Sequence, residues 1–303
     1  MVEFFGGIEA GGTKWICAAG LGPDQILDQA RIPTTTPGET LAAAIAFFRQ
    51  VQGANRLAAL GIGSFGPIDL HPESETYGYI TSTPKPGWAN TNVVGPIWEA
   101  LQVPIGFDTD VNAAALGEAY WGAARGLDDF IYLTIGTGIG GGSLANGKLI
   151  HGLLHPEVGH LLVPHDWSID PFEGTCPFHG DCLEGLASGP AIKARWGQPA
   201  ETLPPGHPAW ELEARYLSLA LVNLILTLSP GRIVLGGGVM QQVQLFPQIR
   251  ERVLETLNGY VQSPSLTKRM GEYIVPPILG DRSGVLGAIA LARQAAAQSG
   301  VTQ

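Results

Sequence analysis

The feature that most constrains this chain is a pattern that occurs twice. "FFGGIEAGGTKWICAAG", residues 4–20, reads as a β-rich run, a Gly-Gly-Thr corner and a second β-rich run. "FIYLTIGTGIGGGSLANG", residues 130–147, reads the same way around a Gly-Thr-Gly corner. Each hairpin opens its own half of the sequence, which predicts a duplicated architecture. "LAALGIGSFGPID" (57–69) predicts a buried strand running into a turn, and "VPIGFDTD" (103–110) a strand that ends in carboxylates. "VNAAALGEAYWGAARG" (111–126) is Ala-rich and predicts a helix with Gly126 after its last turn. Residues 211–229 predict a longer helix with an apolar face. "RIVLGGGVM" predicts a strand entering a third glycine corner, and "GVLGAIALARQAAAQ" a closing helix of small residues. Strands alternate with helices, so the expected class is α/β.

Composition supports this and removes some functions. At 303 residues with 45% hydrophobic content, the chain can bury the cores of two domains. The 42 Gly and 23 Pro therefore mark tight turns rather than disorder. A formal net charge of −10 argues against nucleic acid or an anionic membrane as partner. No apolar run approaches the roughly 18 residues of a membrane span; the best, "LALVNLILTL", is interrupted by Asn223. "MVEFFGG" has neither a basic region nor a cleavage pattern, so a cytoplasmic location is expected. Three cysteines do not make a disulfide framework, and Cys17 sits in an apolar stretch as an inert core residue.

Three glycine corners carry the first chemical signal. Gly12, Thr13 and Lys14 form one that can bring backbone N–H groups up to a phosphate or serve only as a turn; its spacing is not that of a Walker A loop. Thr134, Gly136, Thr137 and Gly138 belong to a stretch with five glycines in nine residues. That density would weaken an ordinary strand, and it suits close approach of a ligand. Gly236, Gly237 and Gly238 form the third. Ligands of open α/β sheets sit at the carboxyl ends of strands, so three such corners together point to a nucleotide.

Two further clusters carry chemistry. In "FDTDVN", Asp110 has two readings of equal weight: an N-cap for the following helix, or a general base for a substrate hydroxyl. His160, Cys176, His179 and Cys182 supply two imidazoles and two thiolates, a set suited to tetrahedral Zn²⁺. Four protein ligands would leave no open position, so such a zinc would be structural. His151, His155 and His165 compete for the fourth place. Glu157 and Glu184 flank the cluster and are suited to accept hydrogen bonds from sugar hydroxyls.

Together these stretches resemble the ROK sugar-kinase family. The resemblance runs from "GIEAGGTK" to "GDRSGVLGAIALA" and is most specific in "DTDVNAAALGE", "TIGTGIGGG" and "HPEVGH…CPFHGDCLEGLASGP". It implies an α/β, two-domain actin-like ATPase (ribonuclease H-like) fold, with duplicated βββαβα-type halves and a cleft between them. The domains expected are 1–113, joined by the C-terminal helix at about 286–303, and 114–285 with the zinc loop.

The resemblance also implies roles. Asp110 matches the catalytic base. Glu157, His160, Glu184 and Asn112 match sugar-binding positions, with His160 also a zinc ligand. Gly12, Thr13 and Lys14 match the first phosphate loop, and Thr134, Gly136, Thr137 and Gly138 the second. Gly236, Gly237, Gly238 and Pro190 match the nucleotide's adenosine side. ATP, Mg²⁺ and a structural Zn²⁺ are the cofactors implied, and a homodimer the assembly.

The chain departs from the family pattern at Thr109, where Asn is usual, and at Glu9, where Asp is usual. His179 lies within a cluster that more often has three cysteines, a variant similar to the fructokinase branch. ATP-dependent phosphorylation of fructose is therefore the expected activity. A glucokinase or a mannose or N-acetylmannosamine-type kinase is the alternative. A non-catalytic sugar sensor is a further one. The repressors of the family carry a helix-turn-helix before the sugar domain, and "GGIEAGGTK" beginning at residue 6 is not expected to leave room for it.

Overall fold

In a computed structural model, residues 2–53 and 55–300 are described. The chain divides into two compact units, Met1–Gly126 with His151–His155 and Asp281–Gln303, and Leu127–Ile150 with Pro156–Gly280.

The first unit is built on β1 (Glu3–Ala10), β2 (Lys14–Gly22), β3 (Gln25–Pro33), β4 (Arg56–Ser64) and β7 (Ile105–Thr109), in the order β3-β2-β1-β4-β7. β5 (Tyr79–Ile80) and β6 (Thr91–Asn92) form a small separate pair. The β1–β2 and β2–β3 pairings are antiparallel, whereas β4 and β7 run parallel to β1. Register sets Ala10 beside Ser64 and Ser64 beside Thr109. The carboxyl ends of three parallel strands thus share one edge, and the segments that follow them begin with Gly11, Phe65 and Asp110.

Three helices complete the early part of this unit: α1 (Pro37–Gln52), α2 (Val94–Leu101) and α3 (Asp110–Trp121). The chain's last helix, α10 (Ser283–Gln298), also belongs to it and packs along α3, β4 and β1. Its run of small residues is what permits this. A Cβ on Gly287 would land on the carbonyl of Ala113, so the two backbones touch there. Gly287→Ala is expected to destabilise the protein by about 3 kcal/mol, the upper end for overpacking a filled core. The fall in the urea midpoint, with unchanged slope, measures it.

The second unit repeats the plan. β8 (Phe130–Ile135), β9 (Ile139–Ala145), β10 (Lys148–Leu149), β11 (Ile233–Gly236) and β12 (Ile274–Val275) are ordered β10-β9-β8-β11-β12. The first three are antiparallel neighbours and the last two run parallel to β8, as in the first unit. The helices are α4 (Leu183–Ala187), α5 (Gly189–Trp196), α6 (Ala209–Leu228), α7 (Leu245–Leu257), α8 (Pro264–Thr267) and α9 (Met270–Tyr273). α6 sits under the sheet with Trp210, Tyr216, Leu217 and Leu221 buried. No described helix is long and apolar enough to cross a membrane.

Two expectations shift. The helix expected to continue until Gly126, which was to follow its last turn, ends at Trp121. Glu118 is the cause: its carbonyl takes the N–H of Gly122, and its side chain takes that of Ala123 at 2.6 Å, folding the chain back. The domain boundary expected after residue 113 falls inside α3. The first unit extends to Gly126, because α3 packs along α10 as one piece. Likewise the second unit closes at Gly280 rather than 285.

Candidate active site

In the first unit the cap reading of Asp110 passes to its neighbour. Thr109, not Asp110, is the N-cap of α3: its hydroxyl oxygen accepts from the N–H of Asn112 at 3.1 Å. Asp110 is the first helical residue, with Oδ1 accepting from the N–H of Val111 at 2.8 Å. The N-cap of α3 is therefore Thr109, and Asp110 stands at the first helical position, directly after the carboxyl end of β7. Asn112 lies differently from its expected role as a sugar contact. It is 1% exposed, and its amide donates to Asp108 at 2.7 Å, so it braces the turn instead of offering a surface.

Asp108 is buried, and its Oδ2 lies 2.8 Å from Nε2 of His151. That hydrogen bond raises the pKa of His151 above its ordinary value, against the opposing effect of burial. The sign follows. A His pKa raised on folding adds stability that is fully present below about 6.5 and is lost as pH rises through the raised value. The melting temperature of the wild type should exceed that of His151→Ala by more at pH 6 than at pH 9. Equal differences at both would remove the ion pair from the account.

The Gly12, Thr13 and Lys14 corner is a turn between β1 and β2, with Thr13 and Lys14 exposed. Thr34 braces it from below, donating its hydroxyl to the carbonyl of Gly11 at 2.7 Å. Glu9, the last residue but one of β1, sits at the start of α10. Burial raises its pKa, and Lys14 and the N–H of Val285 act the other way. Its Oε2 is buried without a hydrogen-bond partner.

In the second unit the four metal-ligand candidates converge. One ligand atom from each of His160, Cys176, His179 and Cys182 lies within 4.8 Å of all the others. Cys176 Sγ is 3.7 Å from His160 Nδ1 and 3.6 Å from His179 Nδ1, and Cys182 Sγ is 3.5 Å from His160 Nδ1. Tetrahedral zinc with ordinary Zn–S and Zn–N lengths requires sulfur–nitrogen separations of about 3.5 Å. The donor set therefore fits zinc in kind and spacing. The competitors are engaged elsewhere: His151 on Asp108, His155 at 3.3 Å from the N–H of Ile68, and His165 at 3.0 Å from Asp181. Without metal, burial pushes the Cys182 thiol up to about 11, so loading must displace a proton and weakens as pH falls.

Because His160 gives Nδ1 to the cluster, Nε2 remains for another partner. Glu157 precedes His160 by three residues, and Glu184 follows Cys182 by two. Burial raises the pKa of Glu157, and the charge of Glu184 raises it further, so the two carboxylates are close enough to repel. Oε2 of Glu184 accepts from the N–H of Ile139 at 2.8 Å. The cluster, the carboxylate pair and the β8–β9 corner are thus contiguous. A neutral polyol suits such a pair, since its hydroxyls donate without adding charge.

The nucleotide candidates are partly brought together. A pocket of about 680 Å³ is lined by Gly136, Thr137, Pro190, Lys193, Glu201 and Gly238, among others. Gly237 makes its sharp bend at φ +92°, and a Cβ there would collide with the carbonyl of Ile135, so only glycine fits. Gly236 departs from expectation: it is the buried end of β11, packed near Tyr132, and presents no face to the pocket. Thr134 and Gly138 flank the corner without lining the pocket. Lys193 and Glu201 escaped the sequence reading. Lys193 stands one turn after Pro190, and helical spacing from the "SGP" start was the available signal.

Two sheets of one plan, each headed by a glycine-cornered hairpin, define an actin-like ATPase fold. The sequence profile of the ROK family matches residues 5–295, and the chain belongs to that family. It is similar to a fructokinase of Zymomonas mobilis subsp. mobilis (strain ATCC 31821 / ZM4 / CP4), 46% identical over 295 residues, covering 96% of each chain. A fructokinase of Lactococcus lactis subsp. cremoris is 45% identical over 293 residues, covering 96% of this chain and 98% of its own. Among solved structures, a ROK family glucokinase from Streptomyces griseus in complex with glucose and AMPPNP superposes with a TM-score of 0.72 at 25% identity, covering 96% of this chain and 99% of that one.

Proposed function

We propose that this protein transfers the terminal phosphoryl group of ATP to D-fructose, giving fructose 6-phosphate. Support comes from the two full-length relatives named fructokinase, at 45% and 46% identity, against 25% for the glucokinase structure. The observation that carries the chemistry is the place of Asp110, the first residue of α3, directly after the carboxyl end of β7.

In this reading Asp110 orients the primary hydroxyl of the sugar and accepts its proton as the bond to phosphorus forms. Glu157, Glu184 and Nε2 of His160 hold the remaining hydroxyls. The glycine corners offer N–H groups to the phosphates, and the apolar and rim groups of the 680 Å³ pocket receive the adenosine. Mg²⁺, when bound, neutralises charge on the phosphates. The buried unpartnered oxygen of Glu9 fits a place beside it, directly or through water. Zinc in the His160, Cys176, His179 and Cys182 set supplies no chemistry and holds the segment that carries Glu157 and Glu184. The chain acts as a homodimer in the cytoplasm, as membership of the family implies.

Coupled ADP release with fructose, glucose, mannose and N-acetylmannosamine tests the proposal. The highest kcat/KM is expected for fructose. A higher value for glucose or either mannose sugar would replace the substrate, and no release with any of them would leave a sensor.

A further inference from the structure

We propose that His151 is a positioning residue for phosphoryl transfer, acting through Asp108 on the turn that presents Asp110. The inference rests on the reading of Asp110 as the base.

Asp108 is 3% exposed, so its charge needs partners in place of water. Its two oxygens divide the work. Oδ1 accepts from the N–H of Thr109 at 2.8 Å and from the amide of Asn112 at 2.7 Å. Residues 109 and 112 bracket Asp110, and they are joined again by the cap from Thr109 to the N–H of Asn112. Oδ2 is left over, and Nε2 of His151 takes it at 2.8 Å. The same imidazole nitrogen is 3.4 Å from the Asn112 amide.

His151 comes from outside the element it braces. Residues 151–155 leave the second unit's stretch of sequence and belong to the first. They dock on its loops at two further points: the carbonyl of Leu153 lies 2.7 Å from Nε2 of His71, and Nε2 of His155 lies 3.3 Å from the N–H of Ile68. His71 and Ile68 follow β4, and Asp108 is the last residue but one of β7, so this short strap ties segments of the carboxyl edge together. An imidazole on a buried carboxylate makes a charge-assisted bond, short and directional, which suits fixing one turn. Both histidines of the strap are engaged with groups of the same unit, His151 with Asp108 and His155 with the N–H of Ile68. The strap's effect is geometric, and a displacement of about 1 Å at a reacting group costs on the order of 10²-fold in rate.

Steady-state kinetics with fructose and ATP, on full-length His151→Ala, His151→Gln and Asp110→Asn, test this. His151→Ala should lower kcat by roughly 10- to 100-fold, with the KM for ATP unchanged. His151→Gln should recover most of the loss, because its amide reaches Asp108 and donates. If His151→Ala does not fold, His151→Asn replaces it: its amide is too short to reach, and the same contrast with Gln applies. A folded Ala or Asn variant with wild-type kcat overturns the inference, as does a Gln variant as slow as the shorter one. Asp110→Asn separates the two levels. Wild-type turnover there overturns the base reading and this inference together. An inactive Asp110→Asn beside a fully active His151→Ala overturns this inference alone.

Discussion

Replacing Asp110 by Asn is expected to cut kcat by about 10²- to 10⁴-fold, the range supplied by a positioned general base. The substitution keeps shape and removes proton affinity. It also spares the fold, for a reason visible in the turn: Thr109 caps α3, and Asp108 holds residues 109 and 112, so neither anchor depends on residue 110. A charge lost at the first helical position costs only about 0.3–1 kcal/mol. The KM for fructose should therefore move little while turnover collapses, the signature of a group that acts in the transition state. A variant that retained turnover within tenfold of wild type would take the base role away from Asp110.

Removing the metal should have the other large effect. Freshly purified protein is expected to hold about one zinc per chain, and Cys182→Ser close to none, by atomic emission. The ligands lie at 160, 176, 179 and 182, and no helix or strand spans the stretch from Leu161 to Cys182. The segment is instead held by the cluster and by loop bonds such as that from the N–H of Cys176 to the carbonyl of Gly180, at 3.2 Å. Without zinc, the four side chains no longer share a ligand that ties the segment together. The loss should appear as protease cleavage between 157 and 184 and as a KM for fructose raised by roughly 10- to 100-fold. The KM for ATP should rise less, since the pocket's residues at 190, 193 and 238 lie outside the segment. Chelation should become easier as pH falls, because each displaced ligand gains a proton. Zinc-free protein with an unchanged fructose KM would reduce the cluster to an incidental grouping.

Much of this was legible in the sequence, for identifiable reasons. The hairpins at 4–20 and 130–147 announced themselves because glycine is costly inside strands and its clustering has few explanations. The four candidate metal ligands were legible because cysteine is scarce here and Cys176 and Cys182 stand on either side of His179. The second sheet's copy of the first sheet's strand order follows from the repeated hairpin. What stayed hidden depends on contacts between residues far apart in sequence. The bond from Asp108 to His151 spans 43 positions, and no local pattern signals it. The burial of Asn112 against Asp108 was equally hidden, since the resemblance marked the position as a sugar contact and gave no sign of that bond. Gly236 looked like its two neighbours, yet it is the last residue of β11 and is buried there. The helix end at Trp121 was missed because Glu118 acts through its side chain, which helix propensity does not register.

The central claim is a phosphate ester formed on one hydroxyl of one sugar. Phosphorus NMR of the purified enzyme with ATP, Mg²⁺ and fructose tests it without any coupling enzyme. A monoester signal coupled to the two protons at C6 should grow as ATP is consumed, and its growth should be absent with Asp110→Asn. Inorganic phosphate appearing in place of the ester, or an ester that forms on glucose but not on fructose, would contradict the account.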